Sequence, residues 1–252
     1  MAEAVLSCMH VAKSFNSRGR TTEVLRDINL TVHEGEIAII QGRSGMGKST
    51  LLQILAGLDR PSSGSVEMAG SALDALSPAQ LARLRSRSMG FVFQNFNLIP
   101  AWTAAQNVEA ALAYSERSRA TRRRMASEIL ESLGLGERID FLPSELSVGQ
   151  QQRVAVARAL IHAPTIVFAD EPAGDVDPET ATSIMDCLVD SVRAHGSSLV
   201  LCTHGRYSRE DASQIHVLRD GVLTNPRSAV PPGSICPSAQ AAAPLSRRPG
   251  SR

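Results

Sequence analysis

Short apolar, β-branched runs alternate along the chain with segments of helical period. Residues 5–11, 28–32, 36–40, 65–68, 90–93, 165–169, 198–202 and 215–218 predict strands. Ile37, Ala38, Ile39 and Ile40 are apolar without a break, as are Ile166, Val167 and Phe168, the pattern of parallel strands covered on both faces. Three helices carry start signals. Ser77 and Asp177 each stand as a capping side chain before a proline, Pro78 and Pro178, at the first helical position. A third helix opens at Lys48, directly out of a glycine-rich loop. Residues 103–134 differ in kind: alanine-rich, helical in period and free of strand signals. The expected organisation is an α/β core into which a mainly helical subdomain, about 94–160, is inserted. Beyond Leu223 the chain turns to Pro, Ser, Ala and Arg without a periodic apolar face, so residues 225–252 are expected to form a disordered tail.

Composition narrows the class. With 43% hydrophobic residues in a chain of 252, a sizeable core can be buried. The net charge of 26 − 25 = +1 gives no electrostatic case for nucleic acid. No run approaches the ~18–20 apolar residues that span a bilayer, and Met1, Ala2, Glu3 and Ala4 lack the basic start of a secretory signal. Cys8, Cys187, Cys202 and Cys236 are scattered, which fits a reducing cytoplasm better than disulfides or structural zinc. The expectation is a soluble cytoplasmic protein.

The chemistry lies in three motifs. Gly42, Arg43, Ser44, Gly45, Met46, Gly47, Lys48 and Ser49 match G-x-x-x-x-G-K-[ST] between an apolar strand and a helix. Glycines there let successive N–H groups face phosphate oxygens, and the helix N-terminus adds its dipole. Lys48 would reach the β/γ-phosphates and the Ser49 hydroxyl would ligate Mg²⁺. The strand 165–169 then delivers Asp170 and Glu171 at its C-terminal end. Asp170 suits the Mg²⁺ shell, and Glu171 suits a general base on the attacking water. Upstream, Ser147, Val148, Gly149 and Gln150 open a helix with a hydroxyl and a close-approach glycine, a second anion-facing design. A guanine-reading N-K-x-D is absent, and nothing sequential marks the acceptor lid of a nucleotide kinase.

From about Val5 to Leu223 the sequence resembles the ATP-binding-cassette (ABC) ATPases, with the phosphate loop, the Ser147 motif and the run Ala169, Asp170, Glu171, Pro172 in that family's order and spacing. The resemblance implies an α/β P-loop NTPase (RecA-like) core with an N-terminal antiparallel β part and an inserted helical subdomain, spanning 1–224. It implies that Gln94 contacts Mg²⁺, that His204 is the switch histidine near the γ-phosphate, that Phe15 stacks on adenine and that Asp177 faces a partner subunit. The implied nucleotide contacts are Gly42 to Ser49, Thr50, Gln94, Ser147, Gly149, Gln150 and Phe15, with Ser49, Gln94 and Asp170 toward the metal and Lys48, Glu171 and His204 catalytic. ATP and Mg²⁺ are the implied cofactors. The implied partners are a second copy, forming an ATP-sandwiched dimer, and an integral membrane permease, which puts the chain peripherally on the cytoplasmic face of the membrane.

Within the family the run from Thr22 to Asp27, the run from Gln94 to Pro100 and the run from Asp170 to Asp177 are similar to subunits serving lipoprotein release, macrolide-type efflux, glycolipid export and the cell-division permease. Val148, Ala173, Asp175 and Gly205 depart from the pattern. An ABC ATPase driving a signalling permease, or a soluble non-transport member, stays open. Arg117, Arg119, Arg122, Arg123 and Arg124 form the one dense basic run, read either as a solvated helix face or as an attraction to anionic lipid headgroups. Nucleic acid is not an expected partner.

Overall fold

The structure is a computed structural model that describes residues 3–17, 19–174, 176–204 and 212–225. Asp175, Gly205, Cys236 and all of the expected tail except Asn225 lie outside the described residues. Strands β1 (Ala4–Ser17) and β2 (Arg20–His33) form a long antiparallel hairpin. It reaches well past the predicted runs 5–11 and 28–32. Its outer end, residues 14–17 and 20–23, is polar apart from Phe15 and largely exposed, so no alternation marks it as strand. His10 (φ 52°) and Asp27 (φ 47°) sit at register shifts that bend the ribbon.

Strand β3 (Ile37–Gln41) leads into α1 (Lys48–Leu55), followed by β4 (Ser63–Met68), the short β5 (Ser71–Ala72), α2 (Pro78–Ser88) and β6 (Met89–Val92). Helices α3 (Ala104–Glu109), α4 (Arg119–Ser132) and α5 (Val148–Leu160) follow without an intervening strand. The chain then runs through β7 (Ile166–Asp170), α6 (Pro178–Ala194), β8 (Ser198–Thr203), β9 (Gln214–Arg219) and β10 (Val222–Thr224). Ser77 and Asp177 cap α2 and α6 as their sequence signals predict, accepting hydrogen bonds from the Gln80 and Thr180 amides.

Two sheets result. The antiparallel one has the order β2-β1-β4-β5 and the other the order β10-β9-β3-β8-β7-β6. Strands β9, β3, β8, β7 and β6 are parallel, and β10 alone runs antiparallel to its neighbour. Period-two alternation deals the apolar runs to two cores. Ala38, Ile40, Ile166, Phe168, Val200 and Cys202 face α1 and the antiparallel sheet. Ile37, Ile39, Val167, Ala169, Leu199 and Leu201 face a core shared with helices α3 to α6. Each large side chain so buried contributes about 1.5–3 kcal/mol. This double coverage fixes the C-terminal ends of β3, β8 and β7 side by side, where α/β sheets bind ligands.

Candidate active site

The loop between β3 and α1 requires its glycines. A Cβ at Gly42 would lie 2.6 Å from the Leu218 carbonyl oxygen, and one at Gly47 would lie 2.8 Å from Val24 Cγ1. Gly45 and Gly47 also have φ of 79° and 92°, where side-chain-bearing residues are strained. Gly42 N–H donates to the Thr203 carbonyl (3.2 Å), tying the loop to the end of β8. Helices α2 to α6 each have a side-chain N-cap, whereas α1 has none and no acidic residue in its first turn. Its leading N–H donors and dipole therefore stay available to an anion.

Lys48 opens α1 and is only 3% exposed. Its ammonium donates to the carbonyls of Gly42 (2.8 Å) and Arg43 (3.0 Å) and pairs with Glu171 Oε1 (3.0 Å). The other Glu171 oxygen, Oε2, lies 3.1 Å from Nδ1 of His204, directly after β8. Glu171 thus bridges Lys48 and His204. Its backbone is in the left-handed region (φ 44°), pinned by its N–H to the Cys202 carbonyl (2.9 Å) and by its own carbonyl accepting from Gly174 (2.9 Å). Strain of that kind is held only where the surroundings over-determine it.

Asp170, one residue earlier, accepts a hydrogen bond from the Ser49 hydroxyl. Its Oδ1 is buried without a hydrogen-bond partner. Burial pushes the Asp170 carboxyl above the ordinary aspartate value and the Glu171 charge pushes the same way, while the Ser49 hydrogen bond and the Lys48 ammonium pull it down. An orphaned carboxylate oxygen beside a serine hydroxyl is a hard-oxygen donor set, which fits Mg²⁺.

The remaining predicted residues are placed elsewhere. Ser147 is the N-cap of α5, in a reciprocal capping box with Gln150, and its hydrogen bonds lie within its own first turn. A Cβ at Gly149 would meet nothing within 4 Å, so this turn presents an open backbone. Gln94 is exposed just beyond β6; its carbonyl oxygen would lie 3.4 Å from a Cβ at Gly174, beside the turn that carries Glu171. Phe15 is 45% exposed on the hairpin, with the Lys13 ammonium 5.0 Å from its ring centroid. Arg43, Ser44, Gly45 and Ser49 are exposed along the loop, with Met46 and Thr50 half-buried. Three positions escaped the sequence reading: Thr203 and Leu218, which shape the approach to Gly42, and Cys202, whose buried thiol donates to the Lys48 carbonyl. Only strand register brings them to the loop.

Comparison with known proteins identifies the family. The ABC transporter family model matches residues 25–174. The lipoprotein-releasing system ATP-binding protein LolD of Xanthomonas oryzae pv. oryzae is 43% identical over 222 residues, 88% of this chain and 91% of that protein. The macrolide export ATP-binding/permease protein MacB of Pectobacterium atrosepticum is 40% identical over 242 residues, 96% of this chain; the chain spans only 37% of that protein. Among solved structures, the dimeric post-hydrolysis state of the ATP-binding cassette MJ0796 bound to ADP and Pi superposes with a TM-score of 0.77 at 36% identity, covering 87% of this chain and 98% of that one.

Proposed function

The chain belongs to the ABC transporter family, and from that premise we propose that it is an ATP-hydrolysing cassette that works as an ATP-sandwiched dimer and powers a separate membrane permease. One observation carries the catalytic half: Lys48, Ser49, Asp170, Glu171 and His204 converge beside α1, the one α-helix among the described residues whose first turn no side chain caps. Phosphate oxygens entering the loop compete with Glu171 for the Lys48 ammonium. Glu171, released from that pair, is free to accept the proton of the attacking water, and the His204 ring holds its second oxygen in place. Ser49, Asp170 and Gln94 would hold a magnesium ion, which when bound spreads the charge that develops on the phosphoryl oxygens.

Ser147 and Gly149 form no part of the Lys48 cluster, which supports a site completed by a second copy. The dimeric state of the MJ0796 cassette supports the same assembly. In this reading the phosphate held by Lys48 of one copy is capped by Ser147 and Gly149 of the other.

For the permease, support comes from exposed apolar side chains in the segment 99–114 that follows Gln94 in the chain. Ile99, Trp102 and Tyr114 are 39%, 41% and 95% exposed, and Trp102 and Tyr114 line two clefts on either side of the segment 110–113. Exposed Trp and Tyr beside Arg residues are what interface anchors are made of. The LolD relative, nearly all of which the chain spans, is named an ATP-binding protein of a lipoprotein-releasing system without a permease, whereas the name of MacB joins ATP binding to a permease. We therefore place the chain peripherally, on the cytoplasmic face of a membrane. No described helix is long and apolar enough to cross one. The basic run weighs little in this: Arg123 pairs with Glu109 and Asp140, and Arg124 with Glu128, as on a solvated helix face.

The assembly is tested by the mass of Glu171→Gln in solution. MgATP converts it from monomer to dimer, and adding Ser147→Arg returns it to monomer. A monomer with ATP in both proteins defeats the shared site.

A further inference from the structure

Gln94 occupies the second position of a turn that runs from Phe93 to Phe96, closed by the Phe96 N–H donating to the Phe93 carbonyl (3.0 Å). Phe96 and the next residue, Asn97, both lie in the left-handed region, with φ of 57° and 47°. Neither is glycine, and a phenylalanine holds that conformation only where its surroundings enforce it. The enforcing group comes from another element. Arg158, in the last turn of α5, donates from Nη1 to the Asn97 carbonyl (2.6 Å) and from Nη2 to the Phe96 carbonyl. An extended backbone turns successive carbonyls to opposite sides, so one planar guanidinium takes both only while the two residues are coiled.

The dependence runs both ways. Burial pulls the Arg158 guanidinium below the ordinary arginine value, and among the described residues no carboxylate pairs with it, so these two carbonyls compensate its charge. Downstream the segment is fixed by the buried Asn107. Its Oδ1 accepts from the Ile99 N–H (2.7 Å), and its Nδ2 donates to the carbonyls of Ile99, Trp102 and Thr103. Upstream it is fixed by β6, and Arg158 holds the stretch between. We propose that Arg158 is a positioning residue for ATP hydrolysis. By keeping Phe96 and Asn97 left-handed it keeps the turn closed and sets where Gln94 stands beside the turn that carries Glu171, a role that rests on the ATPase function proposed above. Because Arg158 belongs to α5, the same contacts tie that placement to the helix that opens at Ser147.

Hydrogen exchange of the full chain without nucleotide, read at single amides, tests the clamp by itself. In the parent the Phe96 amide should exchange about 100-fold slower than an open amide, and in Arg158→Met about tenfold faster than in the parent, while the Val156 and Ala157 amides of α5 keep their protection. Arg158→Lys, which keeps the charge but reaches one carbonyl, should fall between. An open Phe96 amide in the parent overturns the proposal with no variant needed, and so does a Phe96 amide that Arg158→Met and Arg158→Lys leave unchanged. Kinetics test the placement. Arg158→Met should lose about 10- to 100-fold in kcat, the cost of a misplaced group, with KM for MgATP within about twofold of the parent's. Gln94→Ala should lose a similar factor in the parent, yet less than about twofold in Arg158→Met, where the glutamine is already out of place. Losses that multiply make Arg158 merely structural and overturn the proposal. Turnover at the parent rate in Gln94→Ala overturns it from the other side, by faulting the metal role of Gln94, and the exchange measurement tells that failure from a failed clamp.

Discussion

Glu171 joins three demands on one residue: a left-handed backbone, an ion pair to a buried lysine and a hydrogen bond from His204. Lys48 depends on that arrangement as much as Glu171 does. Lys48→Met keeps the apolar stem but removes the charge-assisted contacts to phosphate, and ATP affinity should fall about 10- to 100-fold, corresponding to ~1.5–3 kcal/mol; isothermal titration checks it. Asp170 makes a separate prediction in pH. Folding raises its pKa above the unfolded value, chiefly through burial, so the folded chain holds this proton more readily. The associated stability is present at low pH and is lost as pH rises through the folded value. Asp170→Asn removes that loss. Its Tm should therefore exceed the parent's at pH 8, and the gain should shrink toward the ordinary aspartate value of 3.8. Magnesium-dependent hydrolysis should disappear in the same variant. An unchanged Tm at pH 8 would contradict a buried carboxylate that Ser49 and Lys48 compensate only in part. At this scale the sequence was readable where the chemistry is local: eight consecutive residues spell the loop. Cys202, Thr203 and Leu218 were not readable, because only strand register carries them to it.

Among the elements, the helix starts at Lys48, Ser77, Ser147 and Asp177 were legible, whereas those capped by Thr103 and Ser118 and the strand ends were not. Ser77, Asp177 and Ser147 announce their helices by side-chain chemistry that acts within one turn. The outer hairpin and the two-residue β5 are held by pairing with neighbours, and no apolar alternation records that. Two substitutions separate these element-level forces. Ser147→Ala removes a cap and should cost about 1 kcal/mol in urea unfolding while leaving the loop intact. Gly47→Ala meets both a φ of 92° and Val24 Cγ1 at 2.8 Å, so it should lower stability further and weaken ATP binding as well. An ATP affinity unchanged in Gly47→Ala would show that the turn tolerates a side chain that its geometry forbids.

In the whole molecule, double coverage of the parallel sheet explains why unbroken apolar runs predicted its strands, and the positions of those strands explain why five polar side chains meet. What one chain leaves apart is also informative: in the proposed dimer the Ser147 turn of one copy and the Lys48 loop of the other share a phosphate. The dimer was legible through the family resemblance, whereas the orphaned Gln152 amide, buried without a hydrogen-bond partner, and the Arg158 clamp were not, because both depend on the packing of α5 against its surroundings. In the proposed mechanism Glu171 draws the proton from the water that attacks ATP. Steady-state hydrolysis by purified Glu171→Gln, with ATP affinity measured on the same sample, tests it most directly. Turnover should fall about 10²- to 10⁴-fold while ATP still binds; hydrolysis at the parent rate would contradict the account.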